Sequence, residues 1–103
     1  MTEVLLARAK INDGQKERWL NWCEELKRRE PEVMETLEAE GVISEACFLS
    51  PDGEYVYYFM ESSDLSKASS SPHGFPIDKE HIIAREAALG TREKMTVLFN
   101  FHR

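Results

Sequence analysis

Apolar and polar residues alternate from Val4 to Ile11. Val4, Leu6, Arg8 and Lys10 fall on one side and Leu5, Ala7, Ala9 and Ile11 on the other, the two-residue period of a β-strand. Neither side is wholly polar, so a sheet built on this strand needs covering twice. Asn12-Asp13-Gly14 supplies a turn. From about Gln15 to Glu40 the period changes: Trp19, Trp22, Cys23, Leu26, Val33, Met34 and Leu37 recur near helical spacing. Pro31 interrupts them and predicts a kink, or a break into two helices, around Arg29 to Pro31. Gly41 ends the segment.

Val42 to Leu49 reads as a second strand and Glu54 to Glu61 as a third. Ser50-Pro51-Asp52-Gly53 between them joins the two as an antiparallel hairpin. The third strand carries Tyr55, Tyr57 and Phe59 on one face and Val56, Tyr58 and Met60 on the other, so again both faces are apolar or aromatic. Residues 64 to 76 are rich in turn formers and predict a loop of lid length, with a short helical turn at Asp64 to Ala68. Asp78 then reads as an N-cap, with Ile77 and Ile82 forming a hydrophobic staple and Gly90 as the stop. Ile82, Ile83, Ala87 and Leu89 supply a buried side to this helix. Met95 to Phe101 alternates as a last strand.

The order strand, helix, strand, strand, helix, strand is the split βαβ pattern. It predicts an α+β, ferredoxin-like βαββαβ domain over residues 1–103, with helices on one face of a four-stranded antiparallel sheet. The other face is apolar, and a second copy of the chain is its natural cover.

Composition narrows the partners. The chain of 103 residues is 42% hydrophobic, as a folded protein is, and carries a formal charge of −6, which argues against nucleic acid. No apolar run is long enough for a membrane span, and the N-terminus lacks the pattern of a signal peptide. Cys23 and Cys47 fall on different elements in no metal spacing, as in a cytoplasmic protein with reduced thiols.

Candidate chemistry gathers around residues 73 to 90. Asp78, His81 and Arg85 stand three and four apart, along one edge of a helix. His81 is the candidate proton-transfer residue, since histidine titrates near neutrality; its simpler role is to close the cap and cover the core edge. Asp78 orients it or caps the helix, and Arg85 or Arg8 clamps an anion. Arg8 has a plain edge salt bridge as its simpler role. Tyr57 orients a ligand or reaches the surface, and His73 sits in the lid. Trp19 and Trp22 wall an aromatic pocket or fill the core. A metal site on His73, Asp78 and His81 lacks tight ligand spacing, and no metal or other cofactor is expected.

The stretches PHGFPIDKEHIIAREAAL and EYVYYFMESSD resemble a small uncharacterised prokaryotic family of the dimeric α/β-barrel superfamily, marked by an Ile-Asp-x-Glu/Asp-His helix start, here Ile77 to His81. EPEVMETLEAEGVISEACFL is distantly similar to sugar mutarotases of that fold. In those enzymes a histidine on the first long helix is the proton donor, whereas Leu26 to Glu30 here contains none. Antibiotic-biosynthesis-type monooxygenases share the architecture, with no catalytic residue to match. The resemblance implies a sheet-to-sheet homodimer. It implies a small-molecule-binding protein, an isomerase or cofactor-free oxygenase, with its pocket between sheet and helices. The alternative is a non-catalytic dimeric binding or regulatory module.

Overall fold

A computed structural model describes residues 2–66 and 74–103. Its elements are β1 (Glu3–Ile11), α1 (Lys16–Arg28), α2 (Glu30–Glu40), β2 (Val42–Leu49), β3 (Tyr55–Ser62), α3 (Pro76–Ala88) and β4 (Leu89–Lys94). The four strands form one antiparallel sheet in the order β2-β3-β1-β4, which is the ferredoxin-like arrangement. No helix among the described residues is long and apolar enough to cross a membrane.

The long helical segment is two helices. Pro31 stands in the first turn of α2, where its missing N–H costs nothing. Arg29 bridges the break. Its N–H is shared between the carbonyls of Glu25 and Leu26, and its carbonyl accepts from Glu32 and Val33. Its guanidinium also reaches Glu32 and, at 2.7 Å, Glu80 of α3, tying the junction to the third helix. Gly41 ends α2 at φ 73°, the left-handed region that glycine enters without penalty. The β2–β3 turn is closed by Gly53, which donates to the Ser50 carbonyl, and by the Asp52 carboxylate, which accepts from the Glu54 N–H.

Beyond single-residue shifts in β1 and β3, three boundaries differ from the sequence reading. α3 starts at Pro76 with Phe75 as its extended N-cap and no side-chain cap, so Asp78 is not the N-cap but lies inside the first turn. Proline sets the helical φ and has no N–H to satisfy, which lets the helix start before the aspartate. Gly90 is not the stop either. α3 passes at Ala88 straight into β4, and Leu89 and Gly90 both belong to the strand. The helix end is held by Asn12, whose N–H donates to the Ala88 carbonyl and whose side-chain amide donates to the Ala87 carbonyl. Finally, β4 is Leu89–Lys94, not Met95 to Phe101. After Met95, whose N–H donates to the Leu6 carbonyl, the chain leaves the sheet. Its alternating Val97, Phe99 and Phe101 are exposed, with the two phenylalanine rings stacked at 5.0 Å.

Register assigns the faces. Ala7 pairs with Tyr58, Ala9 with Val56, and Cys47 with Tyr58, so these share the inner, helix-covered face. The core lies there: Ala9, Ile11, Trp19, Val56, Ala84, Ala88 and Leu89 form one buried cluster, with Trp19 1% exposed. Arg8, Tyr57 and Phe48 pair with one another on the outer face, which no helix covers.

Candidate functional site

The helices do not close completely over the sheet. A cleft of about 910 Å³ opens between them and the inner face of β1 and β3. Leu5, Ala7, Tyr58 and Met60 line it from the sheet, and Leu26, Val33, Leu37, Ile77 and Ile82 from the helices. The stripe that seats α3, Ile77, Ala84 and Ala88, runs through position 81 at the same helical spacing, which turns His81 inward.

His81 is locked by two partners from different elements. The Trp22 indole N–H of α1 donates to its Nδ1 at 2.9 Å, and its Nε2 lies 3.2 Å from the Tyr58 hydroxyl of β3. An indole nitrogen can only donate, so Nδ1 carries no proton and the neutral ring carries it on Nε2. Nε2–H therefore donates to the Tyr58 oxygen. The Tyr58 O–H must then point to a further acceptor, so the chain Trp22–His81–Tyr58 ends in a hydrogen-bond donor. Trp19 packs its ring 6.0 Å from the imidazole and belongs to the core. Burial, aided by the charge of Arg85, pushes the His81 pKa down to about 4. The imidazole is thus neutral near pH 7 and has no free lone pair.

The group that does titrate near neutrality is Glu45. β2 places it on the inner face opposite Met60, a diagonal neighbour of Tyr58. Burial first, then the carboxylates of Glu40 and Asp78, push its pKa up to about 7. Burial, then the charge of Glu45, hold the Tyr58 phenol well above its ordinary value. The cleft thus combines a half-ionised carboxyl with a neutral hydroxyl donor.

The structure brings His81, Asp78 and Arg85 together in this cleft. The charge of Asp78 adds to that of Glu40 in raising the Glu45 pKa. Arg8 borders the cleft by its strand position, but its guanidinium lies on the outer face, 3.1 Å from Glu93 and over the Tyr55 ring at 4.8 Å. Tyr57 is on that face too, and its neighbour Tyr58 is the tyrosine that lines the cleft. His73, and most of the expected lid, lie outside the described residues. Among the described residues no three metal-ligating side chains converge. Cys23 and Cys47 are free thiols, Cys47 across from Tyr58.

Sequence reasoning missed Tyr58, Trp22 as a polar partner, and Glu45. A signal for Glu45 existed: in VISEACFL it shares a strand side with Cys47 and Leu49, an acid on an otherwise apolar face.

The chain belongs to a family of unknown function, DUF6176, whose model matches residues 2–102. No curated protein matches it in sequence. Among solved structures, it is similar to an antibiotic biosynthesis monooxygenase from Bacteroides thetaiotaomicron, with TM-score 0.68 and 17% identity over 99% of this chain and 94% of that one. It is also similar to L-rhamnose mutarotase from Formosa agariphila, with TM-score 0.65 and 19% identity over 97% and 99%. At these identities the likeness establishes the fold, a ferredoxin-like α+β domain, and carries no activity.

Proposed function

We propose that this member of DUF6176 binds a small carbonyl compound in the inner cleft and removes a proton next to its carbonyl group. The observation that carries this reading is the Glu45 carboxyl, held near pKa 7 beside the donor-terminated chain Trp22–His81–Tyr58. The Glu45 carboxylate takes the proton. The C–H electron pair forms the C=C bond and the carbonyl π pair moves onto oxygen, where the Tyr58 hydroxyl donates a hydrogen bond. Return of the proton to another carbon completes an isomerisation. Attack of dioxygen on the same electron-rich carbon begins a cofactor-free oxygenation. Both reactions share the first step, and His81 acts in it as a positioning residue, not as the base.

Solvent deuterium exchange followed by proton NMR tests the step, with acetylacetone and related β-dicarbonyl compounds as probes. Wild-type protein accelerates exchange and Glu45→Gln does not, while Glu45→Asp keeps a part. Equal rates for wild type and Glu45→Gln, or no acceleration by wild type across the series, overturns the reading and leaves the non-catalytic binding or regulatory module.

The same chain works as a homodimer, sheet against sheet. Val4, Leu6, Phe48 and Phe59 make the uncovered face apolar, and Phe48 is 56% exposed. Native mass spectrometry of untagged protein is expected to give a dimer and Phe48→Asp a monomer. A wild-type monomer at high concentration removes this arrangement.

A further inference from the structure

The two edge strands bring opposite charges to the cleft. Glu45, on edge strand β2, lies with Glu40 and Asp78 at one end. β4 is the other edge, and its register sets Arg92 opposite Ala9 and Lys94 opposite Ala7, on the inner face, while Glu93 turns outward to Arg8. Arg85 of α3 lines the cleft as well, as do its neighbour Glu86 and Glu3 of β1. Four other cations, Arg8, Lys27, Arg28 and Arg29, are engaged in ion pairs. Among the described residues Arg85, Arg92 and Lys94 make none, nor do Lys10, Lys16, Arg18, Lys79 and Arg103; what sets the first three apart is that they line the cleft. In a chain of net charge −6, Arg92 and Lys94, two residues apart on one edge of the cleft and without a carboxylate partner, leave a place for an anion from outside.

The sheet supplies the scale. Strands lie about 4.8 Å apart, so β2 and β4 are separated by about 14 Å, and Tyr58 on β3 is about 10 Å from Lys94. An anionic group placed beside Glu45 meets like charge; placed at Arg92 and Lys94 it meets opposite charge. The carbonyl then falls near Tyr58 and the proton on the adjacent carbon faces Glu45.

We propose that the compound taken by the cleft carries an anionic group, a carboxylate or a phosphate, and lies across the sheet with that group at Arg92 and Lys94 and its reacting carbon at Glu45. This rests on the proton-transfer reading above. It adds a specificity element on β4: a short spacer between carbonyl and anion suits the distance, and a neutral analogue of the same reactivity is a poorer substrate.

Acetylacetone and succinylacetone make the test, since they share the β-dicarbonyl carbon acid and the second adds a carboxylate on a short carbon spacer. Wild-type protein exchanges succinylacetone more efficiently than acetylacetone, by on the order of tenfold in kcat/KM, the scale of one charge-assisted contact. In the double variant Arg92→Gln/Lys94→Gln the ratio falls toward one. Inorganic phosphate competes with succinylacetone in wild type and loses that effect in the double variant; competition stronger than that of acetate identifies phosphate as the better-fitting group. A ratio near one in wild type, or one the double variant leaves unchanged, overturns the proposal. If neither compound exchanges, the proton-transfer reading fails separately. The anion site is then read from binding of succinylacetone by tryptophan fluorescence: weaker binding in the double variant sustains it, and equal or absent binding removes it. A thermal melt shows that the variant, altered only on an exposed edge strand, is folded.

Discussion

Tyr57 and Tyr58 are neighbours in sequence and opposites in environment. Tyr57 lies on the open face of the sheet with Arg8 and Phe48, and Tyr58 on the covered face beneath α3. The outer face is apolar surface with charge at its margin, where Arg8 meets Glu93 in solvent and gains little from it. On the inner face the same residue types are cut off from water. There a carboxyl is pushed up to about 7, an imidazole down to about 4, and a phenol upward. What distinguishes a candidate site from a surface here is desolvation more than residue type.

The largest effect that sharpens this contrast is the pH dependence of stability. Glu45 titrates near 7 in the folded state against 4.5 when free, so the folded protein holds that proton more tightly. The associated stability is present below pH 4.5 and lost as pH rises to 7. His81 titrates near 4 against 6.5, so its contribution is present above pH 6.5 and lost as pH falls to 4. Each is worth about 3 kcal/mol, and over the shared window the two slopes oppose and largely offset each other. Glu45→Gln is therefore expected to match wild type near pH 4.5 and to gain about 3 kcal/mol on it by pH 7.5. His81→Gln is expected to show the mirror image, gaining on wild type toward pH 4. Urea denaturation at a series of pH values gives these differences. Parallel curves for wild type and Glu45→Gln mean that Glu45 is not desolvated.

Next in size is the tyrosine pair itself. Tyr58→Phe leaves the His81 Nε2–H without its acceptor inside the cleft and is expected to cost about 1–2 kcal/mol. Tyr57→Phe on the outer face stays within about 0.5 kcal/mol. Only Tyr58→Phe is expected to slow deuterium exchange. Equal effects of the two substitutions mean that the two faces do not differ in the way described.

Much of the scaffold is legible in the residues. Val42 and Leu49 bound β2 as expected, Pro31 divides the long helix, and Gly41 ends it. Each of these carries a local physical marker: a change of period, a missing N–H, a positive φ. The failures share a different cause. The β3 run YVYYFMES is apolar on both sides, so alternation sets its period but not which parity faces the helices. Tyr57 and Tyr58 were indistinguishable until the helices chose. Asp78 offered a cap that Pro76 made unnecessary. Met95 to Phe101 has a stronger strand pattern than LGTREK, yet the polar segment takes the ladder because α3 runs into it and Asn12 anchors the junction. Trp22 reads as a pocket wall or as core, and its indole N–H, the atom that sets the tautomer of His81, leaves no trace in a hydrophobic pattern.

That indole gives the smallest and most selective effect. Trp22→Phe keeps an aromatic ring against the imidazole and removes only the donor to Nδ1, along with part of the packing. A hydrogen bond accepted by the neutral ring opposes protonation, so its loss is expected to raise the His81 pKa by about half to one unit. The ring stays neutral at pH 7 because burial is the larger cause. What changes is the tautomer: with Nδ1 free, the proton is no longer confined to Nε2, and Tyr58 can donate to the ring instead of into the cleft. Nitrogen-15 chemical shifts of the imidazole report both changes directly. A Trp22→Phe protein whose His81 keeps the Nε2–H form and an unshifted midpoint shows that burial alone governs this ring. The outer and inner faces would then differ in solvent access and not in a built chain of donors.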